Sequence, residues 1–271
     1  MELRIAYSPC PNDTYIFDAL VNGKIDTGDI RFIPHLEDVE TLNQQAVQHD
    51  FDITKISYGV YPLIADHYQI LNSGSALGFG VGPLLISQSP IDNKLLSSMT
   101  VAIPGEHTTA HFLFGHQFPH HQHKVFLRYD QIEQFVLEGK GLGVIIHENR
   151  FTYPSKGLFL VSDLGKYWEQ NTDSPIPLGG IVVRRSLDDA IKKNIDLMIQ
   201  KSIENADKQY PQLSHYITSN AIEMEEAVMR KHIELYVNEH SRNLEAAGKE
   251  AVIKMMRYFK LDMADGSSYF V

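Results

Sequence analysis

The chain has one cysteine and one tryptophan in 271 residues, and its 24 basic side chains are outnumbered by 34 acidic ones. A single thiol, Cys10, excludes an internal disulfide framework and fits a reducing compartment. The longest apolar runs fall well short of the ~20 residues that a membrane-spanning helix needs. A formal net charge of -10 argues against non-specific binding to nucleic acid, which depends on clustered positive charge. No basic segment followed by an apolar core and a cleavage site is visible, so the chain reads as cytoplasmic. A zincin motif is missing as well. After His147 and Glu148, Phe151 stands where a second histidine would be needed.

What is present is ordinary globular material: 43% hydrophobic and 21% charged residues, enough for one large α/β domain or two lobes. Leu3 to Tyr7 reads as a strand that Pro9 and Pro11 stop. Asn12, Asp13 or Thr14 can cap the next helix. Strand, polar loop and helix N-terminus together present free backbone N–H groups to a ligand, which makes Ser8 and Asn12 candidate binding residues. Cys10 lies in the same loop, with no assigned base beside it, and reads as a small buried residue rather than a nucleophile. A second strand near Ile30 to Pro34 and a helix over LEDVETLNQQAV come next. Asp52 to Ser57 is a third strand, which brings Lys55 and Ser57 to the sheet edge that holds Ser8. Lys55 as a solvated charge and Ser57 as a simple cap remain open.

The glycine-rich run from Gly74 to Ser87 is no phosphate loop, because it leads into a strand-like segment instead of a helix opening on Lys-Ser or Lys-Thr. The polar stretch Ser89 to Ser98 is the expected first crossover between lobes. Thr100 to Pro104 is then a strand, and Thr108 and Thr109 stand where the next helix begins. Two hydroxyls at a helix N-terminus suit a carboxylate or phosphate, although plain N-capping accounts for them equally. The histidines in HQFPHHQH (His116, His120, His121, His123) lack cysteine or acidic co-ligands and read as a polar loop, not a metal site. Trp168 falls in a stretch with loop character.

Asp130 to Glu138 is an amphipathic helix by its spacing, with Ile132, Phe135 and Val136 on one face, and Gly139 or Gly141 ends it. Leu142 to Ile146 is a short apolar strand that delivers His147 at its C-terminal end. Ligands of open α/β sheets sit outside the carboxyl ends of strands, so His147 is the candidate catalytic group. A structural histidine is the alternative reading. LGGIVVRR from Leu178 is a further strand and the second crossover. Beyond it, Leu187, Ile191, Ile195, Ile199 and Ile203 form a helical stripe, two more helices cover Glu223 to Val237 and Leu244 to Phe259, and GSSYFV is a frayed end.

The layout predicts two α/β lobes, residues 1–98 with 178–271 and residues 99–177, in the manner of type II periplasmic-binding-protein folds. Seven blocks go further: SPCPNDTYIF, LEDVETLN, TKISYG, SGSALGFGVGPLL, PGEHTTAHFL, IIHENRFTYP and LGGIVVRR. In this order they resemble the 1,4-dihydroxy-6-naphthoate synthase family of the futalosine route to menaquinone, from Leu3 to about Phe259. The resemblance implies cleavage of cyclic dehypoxanthinyl futalosine to 1,4-dihydroxy-6-naphthoate and dihydroxyacetone, without metal or organic cofactor. It further implies His147 as general base, with Lys55, Ile56, Ser57, Thr108 and Thr109 around a small carboxylate substrate. Two other readings stay open: the chorismate dehydratase of the same pathway, and a non-enzymatic solute-binding protein.

Overall fold

Described residues of the computed structural model are 1–222, 225–263 and 268–271. Eleven strands among them build two sheets. The first holds β1 (Glu2–Tyr7), β2 (Arg31–Leu36), β3 (Ile53–Ser57), β4 (Tyr68–Ile70), β5 (Ala76–Gly78) and, late in the chain, β11 (Ile176–Arg184). The second holds β6 (Leu84–Ser87), β7 (Val101–Ile103), β8 (Lys124–Phe126), β9 (Leu142–Ile145) and β10 (Phe159–Asp163). Their orders are β2-β1-β3-β11-β4, with β5 also on β11, and β10-β6-β9-β7-β8. Both sheets are mixed. In the first, β1 runs parallel to β2 and β3, whereas β11 is antiparallel to β3, β4 and β5. In the second, β9 is parallel to β7 and antiparallel to β6.

In each sheet a central strand matters most for function. β3 lies between β1 and β11, and all five of its residues, ITKIS, are buried, Lys55 included. β9 lies between β6 and β7, and all four of its residues are buried. Burial on both faces explains why β9 reads as a continuous apolar run rather than an alternating one. The helical turns leading into it, Tyr129–Gln131 and Ile132–Leu137, pack Ile132 and Val136 onto Gly143, where an added Cβ would stand 2.5 Å from Ile132.

The first crossing between sheets comes earlier than Ser89 to Ser98. β5 belongs to the first sheet and β6 to the second, so residues 79–83 make the passage and the polar stretch stays within the second lobe. The cause is burial: LLIS of β6 is apolar on both faces and finds its core between β9 and β10. Trp168 is likewise no loop residue. Asp163 caps a Leu164–Thr172 helix by accepting from Lys166 N–H, and the fully buried indole donates to Pro175 O.

The stripe on the Asp189–Asp207 helix buries Ile195, Ile199 and Ile203 with Ile16 and Phe17 of the Pro11–Val21 helix and Ile5, Ile53 and Ile181 of the first sheet. Cys10 takes the N-cap position of the Pro11–Val21 helix, and the three expected caps fall inside its first turn. A helix spans Glu226–Tyr236, and residues 223–224 of the expected helix lie outside the described residues. The described end of the chain is anchored rather than frayed. Ile70 N–H donates to Tyr269 O, Val271 N–H donates to Ile70 O, and Phe270 is buried.

Candidate active site

A cleft of about 700 Å³, measured to its open mouth, lies between the two sheets. That size suits a small organic ligand. Ser8, Asn12, Lys55, Ile56, Ser57, Thr108, Thr109 and His147 all line it, so the structure brings every sequence-predicted site residue to one place. The larger lobe adds Asp13, Leu178, Gly179, His232 and Tyr236, none of which the sequence marks as a site residue. Much of the wall is apolar, with Val39, Leu42, Val81 and Ile146 among it.

His147 comes after β9, directly behind Ile146, and sits in the left-handed region at φ 56°. That conformation is uncommon away from glycine, and such strain concentrates at functional sites. The ring meets Tyr129 edge-on at 5.0 Å and lies nearly parallel to the His232 ring, with centroids 5.8 Å apart and 12° between planes. Its Nε2 is buried and has no hydrogen-bond partner. Burial pushes its pKa down to about 4; Glu148 raises it and His232 lowers it further. A neutral imidazole with an unclaimed nitrogen is able to accept a proton. Cys10 is a poor competitor. Burial, with Glu148 next, raises its pKa well above the ordinary thiol value and keeps it protonated.

On the larger lobe the polar groups form one network. Asp13 accepts from the Ser8 hydroxyl (2.7 Å), the Ser8 N–H (3.2 Å) and Asn12 Nδ2 (3.0 Å), and it pairs with Lys55 Nζ at 3.1 Å. Lys55 also donates to Gly74 O at 2.8 Å. The side chains of this pair are only 6% and 4% exposed, so each charge depends on the other. Asn12 Oδ1 accepts from His232 Nε2 at 3.0 Å. Ser57 N–H donates to Asn43 Oδ1 at 2.9 Å. The Ser57 hydroxyl accepts from Asn43 Nδ2 at 3.1 Å, which leaves its own hydrogen available to donate.

Thr108 and Thr109 are engaged differently from the expectation of two free hydroxyls. Thr108 caps the Thr109–Gln117 helix by accepting from His111 N–H at 3.2 Å, and it donates to Gly105 O at 2.9 Å. Thr109 donates to Leu178 O at 2.7 Å and accepts from Gly59 N–H at 3.1 Å. Each hydroxyl has one hydrogen, and both are used. Thr109 therefore joins the lobes. Gly59 permits this approach, because a Cβ there would stand 2.8 Å from Thr108 O. What this helix can still offer an anion are the backbone N–H groups of Thr109 and Ala110, which have no partner among the described residues. Nearby, Glu40 of the larger lobe accepts from His107 N–H (3.1 Å) and meets its Nδ1 at 2.9 Å.

The histidine-rich stretch has structural roles. His116 packs on Trp168 and Tyr258, and His121 is buried with its Nε2 3.1 Å from His123 O. Among the described residues no group of three or more His, Cys, Asp or Glu side chains could hold a metal ion. No described helix is long and apolar enough to cross a membrane.

A family model described as menaquinone biosynthesis matches residues 3–260. The chain belongs to this family. It is 41% identical over 254 residues to the 1,4-dihydroxy-6-naphthoate synthase of Thermus thermophilus, covering 93% of this chain and 92% of that one. Identity to the Streptomyces coelicolor enzyme of the same name is 37% over 259 residues, covering 92% and 90%. A crystal structure of an Archaeoglobus fulgidus protein matches with a TM-score of 0.90 at 30% identity over 98% of both chains. A Candida albicans protein described as having the generic periplasmic-binding-protein fold matches at 0.67 and 14% identity, over 100% and 96%. That level of identity speaks for the fold alone. This member of the family thus has the two-lobed α/β architecture of periplasmic binding proteins.

Proposed function

We propose that this protein is a carbon–carbon lyase of menaquinone biosynthesis that cleaves cyclic dehypoxanthinyl futalosine to 1,4-dihydroxy-6-naphthoate and dihydroxyacetone. The observation that carries the reading is His147, kept neutral by burial, with a partnerless Nε2 beside a ligand-sized cleft. Likeness over more than nine-tenths of the chain to two proteins named 1,4-dihydroxy-6-naphthoate synthase supports the naphthoate as product. In this mechanism the substrate carboxylate lies against the N–H groups of Thr109 and Ala110, and the Ser57 hydroxyl donates from the facing lobe. The apolar wall formed by Val39, Leu42, Ile56 and Ile146 accepts the ring system and keeps water out.

His147 removes the proton of a substrate hydroxyl. That oxygen becomes a carbonyl, the adjacent carbon–carbon bond breaks, and its electron pair stays with the other carbon of that bond, whose fragment then takes up the proton. The imidazolium returns the proton, and formation of the aromatic product favours the forward direction. The substrate's negative charge also assists the base. An anion in the cleft favours the protonated imidazole and lifts the low proton affinity of the buried ring towards a useful range. Lys55 is neutralised by Asp13, so its role is to fix the loop that carries Ser8 and Asn12. We place the enzyme in the cytoplasm, acting without a metal or organic cofactor.

The direct test is incubation with the cyclic futalosine derivative and, separately, with chorismate. A naphthoate chromophore from the first substrate alone is expected. Turnover of chorismate, or of neither compound, would overturn the reading.

A further inference from the structure

We propose that His232, from the larger lobe, is a positioning residue for His147 and supplies the fixed face against which the base's ring is set across the cleft. A catalytic histidine is usually oriented by a hydrogen bond from its second nitrogen to a carboxylate or carbonyl. Here no hydrogen bond to either ring nitrogen of His147 is found among the described residues, and Glu148, its chain neighbour, directs its carboxylate elsewhere. What contacts the ring is aromatic: the edge of Tyr129 and the face of His232.

His232 can serve as that face because it is itself held. It is fully buried on the Glu226–Tyr236 helix. Asn12 Oδ1 must be the acceptor of the 3.0 Å contact, since Asn12 Nδ2 donates to Asp13, and so His232 Nε2 carries a hydrogen. On the other side of the ring, Nδ1 stands 3.5 Å from Glu148 Oε2 without hydrogen-bond geometry. The Tyr236 ring lies 4.8 Å away. The larger lobe thus fixes His232 through Asn12, while His147 and Glu148 reach it from the smaller lobe.

Charge acts alongside shape. The titratable groups that bear on His147 are Glu148 from its own segment and His232, Asp13 and Asp38 from the larger lobe, with the Tyr129 ring beside it. Of these, His232 opposes protonation of His147 and the three carboxylates favour it. Removing His232 therefore makes His147 easier to protonate, an effect that a purely structural residue would not have.

The inference rests on His147 being the base, and the experiment separates the two. His232→Gln keeps an N–H donor within reach of Asn12 but removes the ring face. It should lower kcat by about tenfold or more, because misplacement of a catalytic group by about 1 Å costs that much. KM and the affinity for the naphthoate product should stay within about twofold. The NMR titration of the His147 ring, followed without substrate, should move to higher pH than in the wild type. Glu148→Gln provides a second variant with the opposite sign: it removes a carboxylate that favours protonation of His147, so the His147 titration moves to lower pH. An unchanged kcat for His232→Gln with an unchanged titration in both variants would overturn the proposal. So would a loss of kcat matched by an equal loss of product affinity with the titration unmoved. His147→Asn, assayed in parallel, tests the base itself: if it retains turnover, the assignment of the base has failed, whatever the His232 variant shows.

Discussion

Two helices point their N-termini at the cleft, and the same strand–loop–helix arrangement produces both. They end in opposite electrostatic states. The Pro11–Val21 helix carries Asp13 in its first turn, and that carboxylate collects Ser8, Asn12 and Lys55. The Thr109–Gln117 helix has no acidic residue in its first turn and is capped by a hydroxyl. A helix N-terminus attracts negative charge through its unpaired N–H groups and its dipole. The first helix satisfies that attraction from within the chain, while the second keeps two N–H groups available. A shared local pattern therefore does not by itself locate an anion site. What decides is whether the protein has already supplied the anion.

The largest expected effect leaves both helix ends untouched. His147→Asn should fold and bind the naphthoate product yet lose a factor of roughly 10² to 10⁴ in turnover, the usual range for loss of a general base. Steady-state kinetics beside calorimetry of product binding would check this, and near-normal turnover would remove His147 from the mechanism. Cys10→Ser, by contrast, should keep most of its activity.

Emptying the first helix end comes next. Asp13→Asn leaves the Lys55 ammonium buried without its counter-ion, and breaking a buried pair costs about 3–5 kcal/mol. Denaturant unfolding should register a loss of that order. If stability hardly changes, the pair is not what holds the first loop.

Filling the second end is the sharper comparison. Ala110→Asp places a carboxylate in the first turn of the Thr109–Gln117 helix, as Asp13 does in the other. Product affinity should fall by about tenfold or more, matching the loss of a charge-assisted contact worth about 1.5–3 kcal/mol. Thermal stability should fall as well, since Ala110 is only 3% exposed and a carboxylate there is partly desolvated, so affinity is compared on protein that remains folded. Product binding at wild-type strength would place the substrate carboxylate elsewhere.

The smallest effect concerns acid. The His147 pKa is lowered in the folded state to about 4, so between its unfolded value of 6.5 and that figure the unfolded chain binds the extra proton. Stability therefore falls as pH drops through this window, by about 1 kcal/mol at pH 5.5. Glu148 acts at lower pH. Burial raises its pKa, but His232 and then His147 outweigh this and hold it at about 2, so its contribution is present above 4.5 and lost towards 2. Unfolding curves of wild type and His147→Asn should converge as pH falls from neutrality, where only the first loses stability. Parallel curves between pH 7 and 5 would show that His147 is not buried neutral.

Much of this site was legible in the chain because its signals are local. A buried strand shows as an apolar run, and the polar residue at its C-terminal end marks the sheet edge: His147 after β9, Ser57 at the end of β3, Ser8 after β1. Helix starts show through proline and hydroxyl residues, as at Pro11 and Thr108. The residues that escaped notice act over long separations. His232 is one polar position on an otherwise apolar helix face with Met229, Ile233 and Tyr236, and its partner Asn12 lies 220 residues earlier. The first crossing was also misplaced, because glycine-rich and polar stretches look equally like linkers until β6 is seen between β9 and β10.

The sequence by itself determined the α/β class, the family, the strands and helix starts that face the cleft, and the identity of the histidine at the end of β9. Those come from periodicity, capping and short blocks, all set by neighbours along the chain. Only the tertiary structure decided which donors remain free. The hydroxyls of Thr108 and Thr109 are committed to Gly105 and Leu178, Asp13 occupies one helix end, and His232 meets His147 from the opposite lobe. A hydroxyl has one hydrogen and a buried charge requires a partner; which group takes each is settled by distances between segments that lie far apart in the chain.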